Sequence, residues 1–260
     1  MLNFIEIKNY IKKIPIISDI LRYFYKILLN IKISKLHNTK NGKYYLPLFN
    51  DDLIAKEIKS NKIYQNEILN IAKEYITENS AIIDVGANFG QLSIEFSKLQ
   101  KNTVVYSFEA QKFIYELLKK NVKVNNVNVK CFYNLIGDKN QTIRIKKDKL
   151  KKYKTWGSNH IELAEIDENS NLIEEKKIDD FNIIESISFM KIDVQGRDLF
   201  VLKGAKSTIL KHKMPIIFEY EEEFENVFNF NFDDFVKFIK EINYKIHLKF
   251  ENNYLILPIN

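Results

Sequence analysis

With a single cysteine in 260 residues, the chain can form no intrachain disulfide, so a packed core must hold it together. Cys131 sits in an apolar run and reads as a small core residue rather than a nucleophile, which predicts a reducing, cytoplasmic setting. No apolar stretch reaches the roughly 18 residues of a membrane-spanning helix. No charged start, apolar core and small-residue cleavage site open the chain, so neither a leader nor a span is expected. Only four prolines and seven glycines punctuate it. Acidic charge is scarce at one end: Lys8, Lys12, Lys13, Arg22, Lys26, Lys32, Lys35, Lys40 and Lys43 face only Glu6 and Asp19 there, and the net charge of the whole is +6. That excess lacks interleaved stacking aromatics, and no Asn-Pro-Pro-Tyr-like tetrapeptide occurs, so nucleic acid is not an expected partner.

What is present is an ordinary globular composition, 45% hydrophobic, long enough for one domain with decorations. Residues 1–62 read as a helical N-terminal extension. Ile5, Ile7, Ile11 and Ile14, then Ile20, Leu21, Phe24, Ile27 and Leu28, recur at helical spacing among lysines and break near Pro15. Such a face packs on the main domain, on a second copy in a homodimer, or on a membrane surface as a peripheral contact. A second helical region runs from Leu53 to Thr77.

From residue 63 to 260 the period switches repeatedly between strand and helix. Ala81 to Val85 is a short buried strand, followed by a helix Gln91 to Leu99, a strand Thr103 to Phe108, a helix Lys112 to Val124 and a strand Val129 to Leu135. Later come a strand Ser188 to Val194, a helix Asp198 to Lys211, a strand Pro215 to Tyr220, a helix Asp233 to Ile242 and a terminal strand pair. The alternation predicts an α/β fold, a mostly parallel sheet with helices on both faces and an antiparallel C-terminal edge hairpin. Residues 139–187 interrupt it as an insertion on the substrate side.

The sequence Asp84-Val85-Gly86-Ala87-Asn88-Phe89-Gly90 falls where a strand turns into a helix, the place where nucleoside ligands meet an open α/β sheet. Gly86 permits a tight turn and close approach of a ligand, and Gly90 close packing of the next helix. The middle glycine of the dinucleotide fingerprint is missing, which favours a ligand without a pyrophosphate. Glu109 ends the next strand, nineteen residues beyond Gly90, where a carboxylate can accept two ribose hydroxyls. Asp138, after the third strand, is expected on the adenine side.

Together, Asp-Val-Gly-Ala-Asn-Phe-Gly, Ser-Phe-Glu-Ala (107–110), Asn-Leu-Ile-Gly-Asp (134–138), Met-Lys-Ile-Asp-Val-Gln-Gly-Arg-Asp (190–198) and Val-Leu-Lys-Gly-Ala (201–205) resemble the FkbM family of methyltransferases over roughly residues 63–221. The resemblance implies a class I, Rossmann-like methyltransferase fold with a seven-stranded sheet, S-adenosylmethionine as methyl donor, and Asp84, Gly86, Asn88, Glu109 and Asp138 at its cofactor positions. It further implies an acceptor hydroxyl on a sugar, glycan or polyketide. The family pattern carries Glu where this chain has Gln195, so no second carboxylate is available at that position.

Methyl transfer from a sulfonium is an in-line displacement, so the protein must align donor and acceptor and accept the hydroxyl proton. Asp193 ends the fourth strand, Glu219 ends the fifth, and Lys191 shares a strand face with Asp193, so all three are acceptor-side candidates. Asp193 either acts as base or caps the following turn. Asp193 and Glu219 could alternatively hold a magnesium ion. His160, in the insertion beside Trp156, is a further candidate base, or an exposed histidine without a role. Trp156 offers a stacking face for a sugar ring, or fills core. The lysine-rich stretch 139–154 is either a solvated face or an attractor for the diphosphate of a sugar nucleotide. The expected function is O-methylation of a sugar hydroxyl, on a nucleotide-activated sugar or a capsular or lipopolysaccharide precursor. The rivals are methylation of a lipid-linked or polyketide acceptor and a non-catalytic nucleoside-binding scaffold.

Overall fold

The computed structural model describes residues 33–48, 52–146 and 170–259. In chain order the elements are β1 (Ser34–Thr39), β2 (Gly42–Pro47), α1 (Leu53–Lys59), α2 (Asn66–Tyr75), β3 (Ala81–Val85), α3 (Gln91–Leu99), β4 (Val104–Glu109), α4 (Lys112–Asn125), β5 (Val129–Tyr133), β6 (Leu135–Ile136), β7 (Gln141–Lys146) and β8 (Ser170–Lys176). They continue as β9 (Ile187–Ile192), α5 (Asp198–Gly204), α6 (Lys206–His212), β10 (Ile216–Glu219), α7 (Phe232–Glu241), β11 (Tyr244–Phe250) and β12 (Asn253–Pro258).

Seven strands form one sheet in the order β11-β12-β10-β9-β3-β4-β5. β3 pairs in parallel with β4 on one side and β9 on the other, and β4 with β5 and β9 with β10 are parallel too. β12 enters antiparallel between β10 and β11, so the closing hairpin forms the sheet's edge. The chain leaves β3 in opposite directions for β4 and β9, and that reversal opens a crevice at the carboxyl ends of the strands.

Strand alternation decides which side chains reach that crevice. Ala81, Ile83 and Val85 pack with Met190 and Ile192 into the core beneath α5, α6 and α7. Ile82 packs on the opposite face with Phe189, Phe96 and the α2 residues Ile68, Leu69 and Ala72. Asp84 and Lys191 therefore share the Ile82–Phe189 face, toward α3.

Two expectations need correcting. Residues 34–47 do not extend a helix: they form the antiparallel hairpin β1–β2. The hairpin is fastened to α4 by side-chain amides, since Asn125 accepts from Lys43 N (2.9 Å) and donates to Lys43 O (2.7 Å). Buried Asn121 accepts from Tyr45 N (2.5 Å) and donates to Phe89 O (2.8 Å), which ties hairpin and glycine loop to one helix. The segment expected as one helix over Asp198 to Lys211 is two, meeting at Ala205. The amphipathic pieces in residues 1–32 lie outside the described residues.

Within the expected insertion, β7 and β8 pair and join β6, just before it, in a separate three-stranded sheet. A buried ion pair anchors it: Arg197 Nη2 lies 2.7 Å from Glu175 Oε1, with the two side chains 10% and 3% exposed. Trp156, His160 and residues 147–169 lie outside the described residues.

Candidate active site

An open cleft of about 930 Å³ lies over the carboxyl ends of β3, β4 and β9. Its walls include Gly86, Ala87, Asn88 and Phe89 from the turn after β3, Glu109, Ala110 and Gln111 after β4, Asn134, Leu135 and Ile136 after β5, and Lys191, Asp193, Val194 and Gln195 after β9. Ile54, Tyr64 and Gln65 close it from the α1–α2 side.

The turn after β3 consumes its own amides. Gly86 N and Ala87 N both donate to Phe108 O (3.0 Å each), and Gly90 N donates to Ala87 O (2.9 Å). Asn88 N donates to Glu109 Oε2 (3.0 Å) and Phe89 N to Asn88 Oδ1 (2.7 Å). No amide from Gly86 to Gly90 is left to cradle a pyrophosphate, which agrees with the missing middle glycine. Gly86 has φ 78°, and a Cβ there would stand 1.9 Å from Asp193 O; only glycine lets the turn pass under the β9 exit. The Glu109 carboxylate is fixed on both oxygens, by Asn88 N and by Gln111 N (2.8 Å), and is 8% exposed at the cleft wall.

Two cofactor-side expectations shift. Asp84 is fully buried and does not line the cleft. Its Oδ2 accepts from Ser93 Oγ of α3 (2.5 Å) and its Oδ1 lies 3.4 Å from Lys191 Nζ, so it acts through those neighbours. Asp138 does not line the cleft either: β6 pairs with β8 and carries the chain away, leaving Asp138 near Arg197. The wall after β5 is formed by Asn134, Leu135 and Ile136 instead.

On the other side of the cleft, Asp193 gathers polar partners from four segments. Gln65 Nε2 donates to Oδ2 (2.9 Å), Gln195 Nε2 to Oδ1 (3.3 Å), and Lys191 Nζ lies 3.6 Å from Oδ2. Gln195 Nε2 also reaches Glu219 Oε2 (3.3 Å), and the Asp193 and Glu219 carboxyls are hydrogen-bonded to each other. Burial works against charge on Asp193, but Lys191 and the hydrogen bonds from Gln65, Glu219 and Gln195 hold its carboxyl below the ordinary value. Burial, then Asp193, Asp198 and Glu221, push Glu219 up to about 10, so it carries the proton of the pair. Burial and then Asp193 raise Asp198 to about 8. Lys191 stays charged in spite of burial, because Asp84 and Asp193 flank it. Its Nζ also donates to Gly86 O (3.1 Å), joining the two halves of the cleft.

Asp193 and Lys191 thus meet in the cleft, whereas Glu219 does not line it and reaches it through Asp193 and Gln195. Among the described residues no group of three His, Cys, Asp or Glu is disposed to hold a metal, and the Asp193–Glu219 pair is bridged by an amide and a proton. The magnesium reading does not fit these residues. Sequence reasoning missed Tyr64, Gln65, Gln91, Asn134 and Asp198 as parts of the site. Burial, with Asp193 and Glu219 next, raises the Tyr64 phenol to about 12, so it stands in the cleft as a donor. Cys131 is half-buried and its thiol is raised by burial to about 11, as an inert residue should be. Among the described residues, no helix is long and apolar enough to cross a membrane.

This sheet order, with the cleft at its reversal and an acid closing the second strand, defines a Rossmann-like methyltransferase fold. The Methyltransferase FkbM domain model matches residues 84–246, more than half of the chain, and the chain belongs to that family of enzymes. In fold it is similar to an FkbM methyltransferase of Methylobacillus flagellatus KT, with TM-score 0.50 and 18% identity over 70% of this chain and 44% of that one. The chain therefore spans less than half the length of that relative. It is also similar to the precorrin-6y C5,15-methyltransferase of Geobacter metallireducens GS-15 (TM-score 0.43, 13% identity, 75% of this chain and 90% of that one). A third similar structure is M. jannaschii TYW2 in complex with AdoMet (TM-score 0.40, 11% identity, 86% and 83% covered). No curated protein matches the chain.

Proposed function

We propose that the chain is an S-adenosylmethionine-dependent O-methyltransferase that methylates a sugar hydroxyl. The observation that carries this reading is the pairing, within one cleft, of a carboxylate fixed by backbone amides at the end of β4 with a second carboxylate clamped at the end of β9, across β3. The first suits a nucleoside: Glu109 meets ribose hydroxyls, and Phe108, Ala110, Leu135 and Ile136 give an apolar slot for a base beside Asn134. The amide-depleted turn suits a donor with no phosphate. When bound, S-adenosylmethionine supplies an electrophilic methyl group.

This chain's residues then hold and deprotonate the acceptor. Asp193, ionised, accepts a hydrogen bond from the acceptor hydroxyl and takes its proton as the oxygen attacks. A carboxylate held below its ordinary value is a weak base, so the proton moves late, once attack has made the hydroxyl acidic. Tyr64, Gln65 and Gln195 surround Asp193 with donors and an amide oxygen, a lining suited to a polyhydroxylated acceptor.

The first test is calorimetric titration with S-adenosylmethionine and S-adenosylhomocysteine, parent against Glu109→Ala. Micromolar binding by the parent, weakened about 100-fold by the substitution, is expected from loss of charge-assisted hydrogen bonds. Absence of binding by the folded parent would sink the methyltransferase reading. Transfer of a labelled methyl group to sugar nucleotides, and not to simple lipids or polyketides, tests the acceptor class.

A further inference from the structure

Gln91 is the first residue of α3, directly after Gly90, and is buried. Its side chain does not face the sheet. Instead it grips the segment between α1 and α2 from both sides of one residue: Nε2 donates to Lys62 O (2.8 Å), and Oε1 accepts from Tyr64 N (2.9 Å). A primary amide that satisfies a backbone acceptor and a backbone donor in this way fixes a loop much as a strand neighbour would. The segment needs fixing. Asn61 and Gln65 both have left-handed backbones, φ 63° and 54°, and the backbone bonds to α1 come only from its first residues, Ser60 to Lys62. Its last residue is Gln65, whose Nε2 reaches Asp193 Oδ2 at 2.9 Å.

An unbroken path of side-chain and short backbone links thus runs from the donor turn to the acceptor carboxylate. Asn88, Phe89 and Gly90 bound the turn, Gln91 follows them on α3, the clasped loop comes next, and Gln65 ends on Asp193. We propose that Gln65 is a positioning residue for Asp193 and that Gln91, through the 62–65 loop, couples the donor turn to the orientation of that carboxylate. This rests on the reading of the cleft as a methyl-transfer site. Its chemical sense is that the acceptor oxygen must lie in line with the donor's methyl, so the group that orients the oxygen has to be referenced to the turn that seats the donor.

The groups facing Asp193 set the background against which this is read. They are Lys191 on β9 with Asp84 on β3 behind it, Gln195 in the β9–α5 turn, Asp198 on α5, Glu219 and Glu221 at the end of β10, and Tyr64 in the clasped loop. Gln65 is the donor on Asp193 that comes from the α1–α2 side.

The test uses the full chain with carboxyl-¹³C-labelled aspartate and follows the Asp193 resonance, assigned by its loss in Asp193→Asn, as pH is lowered. Gln65→Met keeps side-chain length and removes the donor, and should raise the Asp193 midpoint by about one pH unit. Gln91→Met should raise it in the same direction although Gln91 does not touch Asp193, and the double variant should raise it no more than Gln65→Met alone. Should Gln91→Met fail to fold, Gln91→Glu retains the acceptor for Tyr64 N and loses the donor to Lys62 O, and an intermediate shift is expected. A Gln91 variant that folds and leaves the midpoint unmoved overturns the coupling. An unmoved midpoint in Gln65→Met overturns the positioning role. S-adenosylhomocysteine binding, measured on the same samples, is independent: a parent that fails to bind it removes the methyl-transfer reading, while the variant shifts still report on the hydrogen-bond path.

Discussion

The two sides of the cleft are built by different means. On the donor side, backbone does most of the work: the amides of Gly86, Ala87 and Asn88 close on β4, and Glu109 is held by the amides of Asn88 and Gln111, both within 21 residues of it in the chain. On the acceptor side, side chains do it: Asp193 is met by Gln65, which is 128 residues away, by Lys191 and Gln195, and by Glu219 from another strand. A backbone site is rigid and tolerates only glycine at its tight points. A side-chain site is tunable in charge and can be altered without moving the fold. The difference teaches which substitutions should cost binding, which stability and which chemistry.

The sharpest contrast comes from removing one carboxylate on each side. Asp193→Asn should lower methyl transfer about 100-fold or more while donor affinity stays within about threefold, because the amide keeps shape and loses the proton acceptor. Glu109→Ala should do the reverse, cutting donor affinity. Initial rates at saturating donor, set beside calorimetry, separate the two; equal loss of donor binding in both variants would break the division of the cleft.

Next in size is a contrast inside the donor turn itself. An alanine Cβ at Gly86 would stand 1.9 Å from a backbone oxygen of Asp193, whereas at Gly90 it would meet the tip of a flexible side chain, Leu118 Cδ1, at 2.4 Å. Both positions have left-handed φ, so both substitutions carry backbone strain of about 1 kcal/mol or more. Gly86→Ala adds displacement of the β9 exit, and should cost about 3 kcal/mol in urea unfolding; Gly90→Ala should cost about half of that. Equal costs would mean that the turn and the β9 exit can move apart freely.

The same division explains what could be read from the sequence. The strands, the sheet, the glycine turn and Glu109 were legible because each is set by local pattern: short apolar runs, glycine at a strand end, an acid closing the next strand. Asp84 was legible as a position but not as a role, since only strand parity with Ile82 turns it toward Ser93 rather than the cleft. Asp138 was misplaced because β5 ends at Tyr133 and the pairing of β6 with β8 carries the chain off. The β1–β2 hairpin left only a displaced signal: it turns at Lys40-Asn41, with Gly42 already paired to Thr39, so the Asn41-Gly42 pair falls one residue late for the favoured two-residue loop. Gln65 and Gln91 left none, because an amide that acts through a contact far along the chain looks like any polar residue in a loop or at a helix start.

The last contrast is in how stability depends on pH, and it belongs to the acceptor side alone. Glu219 has an ordinary value of 4.5 and is raised to about 10 in the folded chain, by burial first and then by Asp193. Between those values the unfolded chain has lost a proton that the folded chain keeps. The unfolded state then binds fewer protons, and stability falls as pH rises. Asp198, with an ordinary value of 3.8 and raised to about 8, contributes in the same direction over its own window. Asp193, held low, has the opposite sign: its contribution is present above the ordinary carboxylate value and is lost as pH falls below it. Urea midpoints should therefore be highest in the mildly acidic range and decline toward pH 9. Glu219→Gln replaces the protonated acid with an amide of the same shape, which cannot ionise. The decline should become shallower by up to one proton's worth of slope, about 1.4 kcal/mol per pH unit at most, and less where solvent reaches the pair. An unchanged slope in that variant would mean that Glu219 is ionised beside Asp193 in the folded chain, and the acceptor side would then carry two negative charges where its geometry implies one.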